Sequence, residues 1–354
     1  MEIYRPTRAL IDLGAIERNT RRIIEKYNGY KYYTAVVKAD CYGYKGFDVV
    51  RAMIDGGANF LAASLLEEGV ALRQEFPEIS IMLFNPVDKE NLHIMKENNL
   101  ICTVATPSQA EDCSDMDGLK VMIRANGGSD ILGGPTDRET FHKIWNTLKN
   151  GACALEGIYL HSYNAEDEGD TEKEYKIFED ITSGLDIASL PIVSVSNSLS
   201  LPRYSKKPYC NTCRLGNIIY KIESDDESLE NTFSLVTRVL DTFTLKSAQS
   251  LAYGHAYVSE RDNTRIASVP IGFGDGFSKT NIGRDVFING RRYPIVAITM
   301  DISHVLIDET INKGDEVLLI KDTHHLEEIS NHIHGATEEA ICALGNRVPR
   351  IYIK

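Results

Sequence analysis

The sequence has no apolar run approaching the ~20 residues that a membrane-crossing helix needs, and no internal repeat or low-complexity segment, which sets aside membrane spans, solenoids and linker-joined modules. It has no cluster of lysine and arginine, and its net charge is −13. Nucleic-acid binding draws its affinity from clustered cations that release counterions, so no nucleic-acid partner is expected. The start, Met1-Glu2-Ile3-Tyr4-Arg5-Pro6, lacks the apolar stretch of a signal peptide, and the expected location is the cytoplasm. The seven cysteines (41, 102, 113, 153, 210, 213 and 342) form no regular framework, and an odd number without an export signal reads as reduced thiols. Cys210-Asn211-Thr212-Cys213 has redox or zinc spacing, but no second pair completes a structural zinc site, and no metal is expected.

What is present is an ordinary globular composition, 43% hydrophobic and 25% charged, on a chain of 354 residues that exceeds the usual size of one core. Two domains are expected. Up to about residue 225, short apolar runs alternate with amphipathic stretches, the pattern of α/β architecture. Ala9-Leu10-Ile11-Asp12-Leu13 reads as a strand, followed by a helix over Ala15 to Tyr27. Further strand candidates are Tyr32 to Val37, Phe60 to Ser64, Ile79 to Phe84, Ile101 to Ala105, Lys120 to Arg124, Leu155 to His161, Pro191 to Ser196 and Arg214 to Tyr220. That count suits a (β/α)8 TIM-like barrel over residues 1–228, with an open doubly wound sheet as the alternative. From about Thr232 the texture becomes alternating and β-rich, with a hairpin signal at Asn289-Gly290, which predicts a mostly β domain over residues 229–354.

In either architecture functional groups sit past the strand C-termini. Ala35-Val36-Val37-Lys38-Ala39-Asp40-Cys41-Tyr42-Gly43 places a lysine there, before a tyrosine and a glycine. A lysine partly desolvated near another cation has the lowered pKa that Schiff-base chemistry requires; a solvated or ion-paired lysine is the commoner condition. The stretch resembles the cofactor-lysine segment of the alanine racemase family. The resemblance implies pyridoxal 5'-phosphate held by Lys38, which also serves as one acid/base group, with Tyr42 on the phosphate.

Further similar segments follow in the family's order. Leu155-Glu156-Gly157-Ile158-Tyr159-Leu160-His161 resembles the segment whose histidine packs on the cofactor ring, and Ser196-Asn197-Ser198 the strand end that binds phosphate, which points to His161, Asn197 and Ser198. Cys213-Arg214-Leu215-Gly216-Asn217 resembles the segment whose arginine faces the pyridine nitrogen, with phosphate on N–H groups at Gly216 and Asn217. An arginine there does not release a proton, so the ring nitrogen stays unprotonated. Leu251-Ala252-Tyr253-Gly254 resembles the segment carrying the second catalytic group; a racemase removes a proton from one face of Cα and returns it to the other, so Lys38 and Tyr253 would share the work. Pro270-Ile271-Gly272-Phe273-Gly274-Asp275-Gly276 and Asn346-Arg347-Val348-Pro349-Arg350 resemble two more family signatures, and Met300-Asp301 the pair whose methionine N–H holds the substrate carboxylate. The resemblance implies a homodimer in which Tyr253 and Met300 reach the other subunit's lysine, acting on a small amino acid.

Some positions depart from the family pattern. Tyr44-Lys45-Gly46 stands where the family has a His-Gly, and Phe273 where it has a tyrosine. In Arg124-Ala125-Asn126-Gly127-Gly128-Ser129-Asp130-Ile131, Arg124 stands near the position of a family lysine and Ile131 near that of an arginine, so Arg124 is read as replacing both charges at the substrate. Ser194 occupies the place of a histidine that supports the pyridine-facing arginine. Asn346 falls where the family has a tyrosine bounding the methyl pocket; a smaller, amide-bearing wall suits a hydroxymethyl side chain, so serine is expected as a substrate beside alanine. Other readings stay open: a non-catalytic carrier of the cofactor, a two-domain decarboxylase, and a regulatory protein descended from a racemase.

Overall fold

The computed structural model describes residues 4–128 and 133–354. Its contacts divide the chain into two compact units, one of residues 20–41 and 46–219, the other of residues up to 19, 42–45 and 220–354. No helix among the described residues is long and apolar enough to cross a membrane. None of the seven cysteines is in a disulfide.

The first unit is a barrel. Numbering strands along the chain from β1 (Arg8–Asp12), its eight strands are β2 (Tyr32–Val36), β3 (Phe60–Ala63), β4 (Ser80–Leu83), β5 (Ile101–Val104), β6 (Lys120–Ala125), β7 (Ala154–Leu160), β8 (Ile192–Ser194) and β9 (Thr212–Leu215). Each pairs in parallel with its neighbour, and β9 returns to β2 with Tyr32 opposite Thr212. The ring closes between β8 and β9 through a parallel bridge from Ser196 to Cys213 and the Arg214 N–H on Ser196 O at 3.1 Å. The strands read as continuous apolar runs because helices cover one face and barrel filling the other: Phe60, Leu61, Ile81, Leu83, Val104, Val121 and Ile123 are all fully buried. Each such side chain contributes about 1.5–3 kcal/mol. Some polar residues inside the barrel are satisfied by neighbouring strands; Thr103 Oγ1 donates to Leu83 O at 2.6 Å and lies 3.1 Å from the Tyr159 hydroxyl. Gly157 marks the tightest strand contact, since a Cβ there would stand 2.3 Å from Ile192 O and force β7 from β8. The Arg214 to Tyr220 strand lies differently from its expectation, over Thr212–Leu215, with a turn from Gly216.

The second unit is built on a nine-stranded sheet. The strand expected at Ala9 to Leu13 belongs here, not to the barrel: β1 pairs antiparallel with Phe233–Arg238 and parallel with Arg350–Ile353. The hairpin at Asn289-Gly290 forms with both residues at positive φ (50° and 78°), as its turn requires, between Asp285–Ile288 and Arg291–Ile298. Strands Asp241–Leu245, Ser303–Ile307 and Arg350–Ile353 complete a sheet richer than the sequence pattern suggests.

Candidate functional site

Barrel strands run in one direction, so their C-terminal ends share one mouth. Lys38 follows β2, Arg124 lies near the end of β6, His161 follows β7, Ser196, Asn197 and Ser198 follow β8, and Arg214, Gly216 and Asn217 lie on and after β9. Four of these strands thus bring together nearly all of the residues expected to hold a cofactor, and β6 adds Arg124, expected at the substrate. The chain after Lys38 is unusual: Ala39, Asp40 and Cys41 have φ of 52°, 51° and 56°. Left-handed backbone in residues with a Cβ costs on the order of 1–2 kcal/mol each, and it persists where neighbours impose it. Here the Ala39 N–H donates to Glu68 Oε1 at 2.7 Å, the Cys41 N–H to Val37 O at 3.0 Å, and the Gly46 N–H to Asp40 Oδ1 at 3.1 Å.

Arg214 is buried and fixed. Its Nη1 donates to Ser194 O at 3.1 Å and to Ser194 Oγ at 2.7 Å, and Nη2 to Leu160 O at 2.6 Å. The serine that replaces the family's histidine therefore still supports the arginine. Its guanidinium lies 5.4 Å from the centre of the Tyr159 ring, a buried tyrosine that the sequence reading quoted without giving it a role. Arg124 is 4% exposed, its Nε finds no partner among the described residues, and desolvation lowers its pKa. Neither arginine has a carboxylate within ion-pair reach among the described residues. His161 is exposed at the barrel mouth, yet desolvation first, and then repulsion from Arg214, Arg124 and Lys38, push its pKa down to about 3, which favours the neutral imidazole.

The loop after β8 has two parts. Ser198 Oγ accepts from the Gly216 N–H at 2.7 Å, which joins the two segments expected to meet a phosphate. The Asn197 side chain holds its own loop, with Oδ1 accepting from Leu199 and Ser200 N–H (3.1 and 2.9 Å) and Nδ2 donating to Ser162 O at 3.2 Å. Ile131, expected near the missing arginine, lies outside the described residues.

The remaining candidates lie in the second unit. Tyr42 is buried, its ring 5.2 Å from that of Tyr220. Tyr253 is 88% exposed on a short turn after Ser250–Leu251. Met300 is 55% exposed at the tip of the hairpin joining Arg291–Ile298 to Ser303–Ile307. Asn346 is exposed, and its Oδ1 accepts from Lys45 Nζ at 2.5 Å. An ammonium can only donate, so the Asn346 oxygen faces Lys45 and its NH2 faces away. The sequence reading noted Lys45 as a departure from the family but missed this contact, which joins residues about 300 positions apart.

Family models for the N-terminal and C-terminal domains of alanine racemase match residues 11–224 and 232–352. The chain belongs to the alanine racemase family. Alanine racemase 1 of Bacillus subtilis is 27% identical over 368 residues, covering 99% of this chain and 94% of that protein. Among solved structures, the alanine racemase of E. faecalis superposes with a TM-score of 0.89 at 26% identity, covering 99% of both chains. That of Bacillus anthracis with bound L-Ala-P gives a TM-score of 0.91 at 26% identity, covering 100% of this chain and 96% of the other. The fold expectation, a barrel with a C-terminal mostly β domain, is thereby met.

The alanine racemase family uses pyridoxal phosphate, and the barrel mouth suits such a group. Among the described residues, a buried arginine with an unpartnered N–H, a second buried arginine without a counter-ion and a histidine whose pKa is pushed down form an environment for an anionic aromatic molecule. Among the described residues no cluster of three or more His, Cys, Asp or Glu side chains could hold a metal ion.

Proposed function

We propose that this protein is a pyridoxal-phosphate-dependent amino-acid racemase that interconverts the enantiomers of alanine and of serine by two-base proton transfer at Cα. The observation that carries the reading is the gathering of Lys38, Arg124, His161 and Arg214 at one barrel mouth, where the buried arginines have no carboxylate within ion-pair reach among the described residues. Lys38, Tyr42, His161, Ser198, Arg214, Gly216 and Asn217 would hold the cofactor, with Asn197 shaping the loop that carries Ser198. When bound, the cofactor supplies a conjugated, electron-withdrawing system that stabilises negative charge at the substrate's Cα.

The chain's own residues do the rest. Lys38 moves the proton on one face of Cα and Tyr253 on the other, because one group cannot serve both faces. Arg214 donates hydrogen bonds without giving up a proton, which restrains delocalisation of the negative charge and favours prompt return of the proton over side reactions. His161, neutral at any ordinary pH, packs without adding charge. Arg124 and the Met300 N–H take the substrate carboxylate, and Asn346, with its NH2 turned away from Lys45, offers a donor to a side-chain hydroxyl. L-serine is then accepted at least as well as alanine.

Tyr253 and Met300 would act in a homodimer, each reaching the partner's Lys38; their exposure supports this. A cytoplasmic setting belongs to the same reading. The test is the absorbance of protein purified with the cofactor, together with exchange of the alanine and serine Cα hydrogen in deuterated water. A coloured protein that exchanges both, and loses colour and exchange in Lys38→Ala, supports the racemase. Colour without exchange of any amino acid would favour the non-catalytic carrier.

A further inference from the structure

The hairpin tip Thr299-Met300-Asp301-Ile302 is closed at its base by Thr299. The Thr299 N–H and Oγ1 both donate to Ile302 O (2.8 and 2.9 Å), and the Ile302 N–H donates back to Oγ1 at 3.2 Å. Met300 and Asp301 stand at the end of the tip, and the Met300 N–H makes no hydrogen bond among the described residues. From Asp301 a line of alternating charge runs inward. Asp301 Oδ1 accepts from Arg347 Nη2 at 2.6 Å, and Arg347 Nε lies 3.1 Å from Asp275 Oδ1. Asp275 is fully buried and also accepts from Arg5 Nη1 and Nη2 (2.7 and 2.6 Å) and from the Gly272 N–H at 3.0 Å.

The backbone follows the same line. The Phe273 N–H donates to Thr299 O at 3.0 Å, the Gly274 N–H to Met300 O at 2.9 Å, and the Gly345 N–H to Asp275 O at 2.9 Å. A Cβ on Gly272 would stand 2.3 Å from Thr299 O, so only glycine permits this approach. An ion pair as exposed as Arg347 with Asp301 adds little to global stability. Its position suggests another use, because an unneutralised Asp301 beside the Met300 N–H would repel an incoming carboxylate.

We propose that Arg347 and Asp301 are positioning residues that aim the Met300 N–H at the substrate carboxylate, with Asp275 and Arg5 as their buried anchor. The proposal rests on the reading of Met300 given under Proposed function. It is tested on the holoenzyme with Asp301→Asn, Arg347→Gln and the conservative Arg347→Lys. Removing a contact that only orients ground-state binding raises KM and spares kcat. In Asp301→Asn and Arg347→Gln the KM for alanine rises about tenfold with kcat and urea midpoint nearly unchanged, and Arg347→Lys recovers part of the loss.

Amide hydrogen exchange of Met300, with and without saturating alanine, gives a readout independent of turnover. Protection by alanine in the wild type that is lost in Asp301→Asn and Arg347→Gln supports the proposal. Equal protection in these variants, with KM unchanged, overturns it while leaving the Met300 reading intact. A racemising wild type whose Met300 amide gains no protection overturns the Met300 reading, and the proposal with it.

Discussion

Arg124 and Arg214 in the barrel unit are 4% and 3% exposed, whereas Tyr253 and Met300 in the sheet unit are 88% and 55% exposed. The barrel unit sets its polar groups in place before any ligand arrives: Arg214 is held by two carbonyls and a hydroxyl, and Ser198 by the Gly216 N–H. Such prearranged dipoles cost nothing further to orient when charge develops nearby. The sheet unit instead fixes backbone, in the tight turn around Tyr253 and the closed tip at Met300, and presents the side chains outward.

The largest effect that would break this contrast is at Lys38. Lys38→Ala is expected to lower racemisation at least about 10³-fold, measured as Cα hydrogen exchange, and near-normal exchange would remove the barrel mouth as the catalytic centre. Tyr253→Phe should be nearly as severe, and mixing it with Lys38→Ala sharpens the comparison. If sites are shared between subunits, randomly mixed chains regain about a quarter of wild-type activity, because a hybrid dimer keeps one intact site. No recovery after mixing, with hybrids demonstrated, would show both groups acting within one chain.

Arg214→Ala leaves the Ser194 and Leu160 carbonyls without their buried donor, and hydrogen bonds to a charged group contribute about 1.5–3 kcal/mol each. Urea denaturation should therefore show a loss of several kcal/mol; Tyr253→Phe, at an exposed position, should show less than about 0.5 kcal/mol. Asn346→Tyr is expected to shift the ratio of serine to alanine kcat/KM toward alanine by about tenfold. An unchanged ratio would remove Asn346 from substrate choice.

The last effect is one of pH. His161 has a folded pKa near 3 against an ordinary 6.5, so the unfolded chain binds the proton first as pH falls. Its contribution to stability is complete above about pH 6.5 and is lost between there and pH 3. Wild type should weaken faster than His161→Phe across that window; parallel stability curves would show that the histidine is not held neutral.

Much of the fold was legible because the barrel strands are short, apolar and separated by amphipathic helices, so β2 through β8 were placed to within a few residues. The first strand was misplaced for a physical reason: an apolar pentapeptide says that it will be buried, not which sheet will bury it, and β1 pairs with segments more than 200 residues away. Candidate site residues could be named because Lys38 and Arg214 each sit in a short motif whose members are contiguous in sequence. Their electrostatics could not, since the lowered pKa of His161 comes first from desolvation in the folded barrel and then from cations on three other strands.

The sequence by itself determined the composition of the core, the strand and helix periods, the hairpin at Asn289-Gly290 and the residue types available for chemistry, all of which follow from local spacing and conformational preference. Only the tertiary structure decided that Ser194 supports Arg214, that Lys45 turns Asn346, and that Arg5, Asp275, Arg347 and Asp301 form one line of charge. These contacts join segments from 20 to about 300 residues apart. No local pattern encodes such a pairing, because its energy exists only once the intervening chain has been closed and packed.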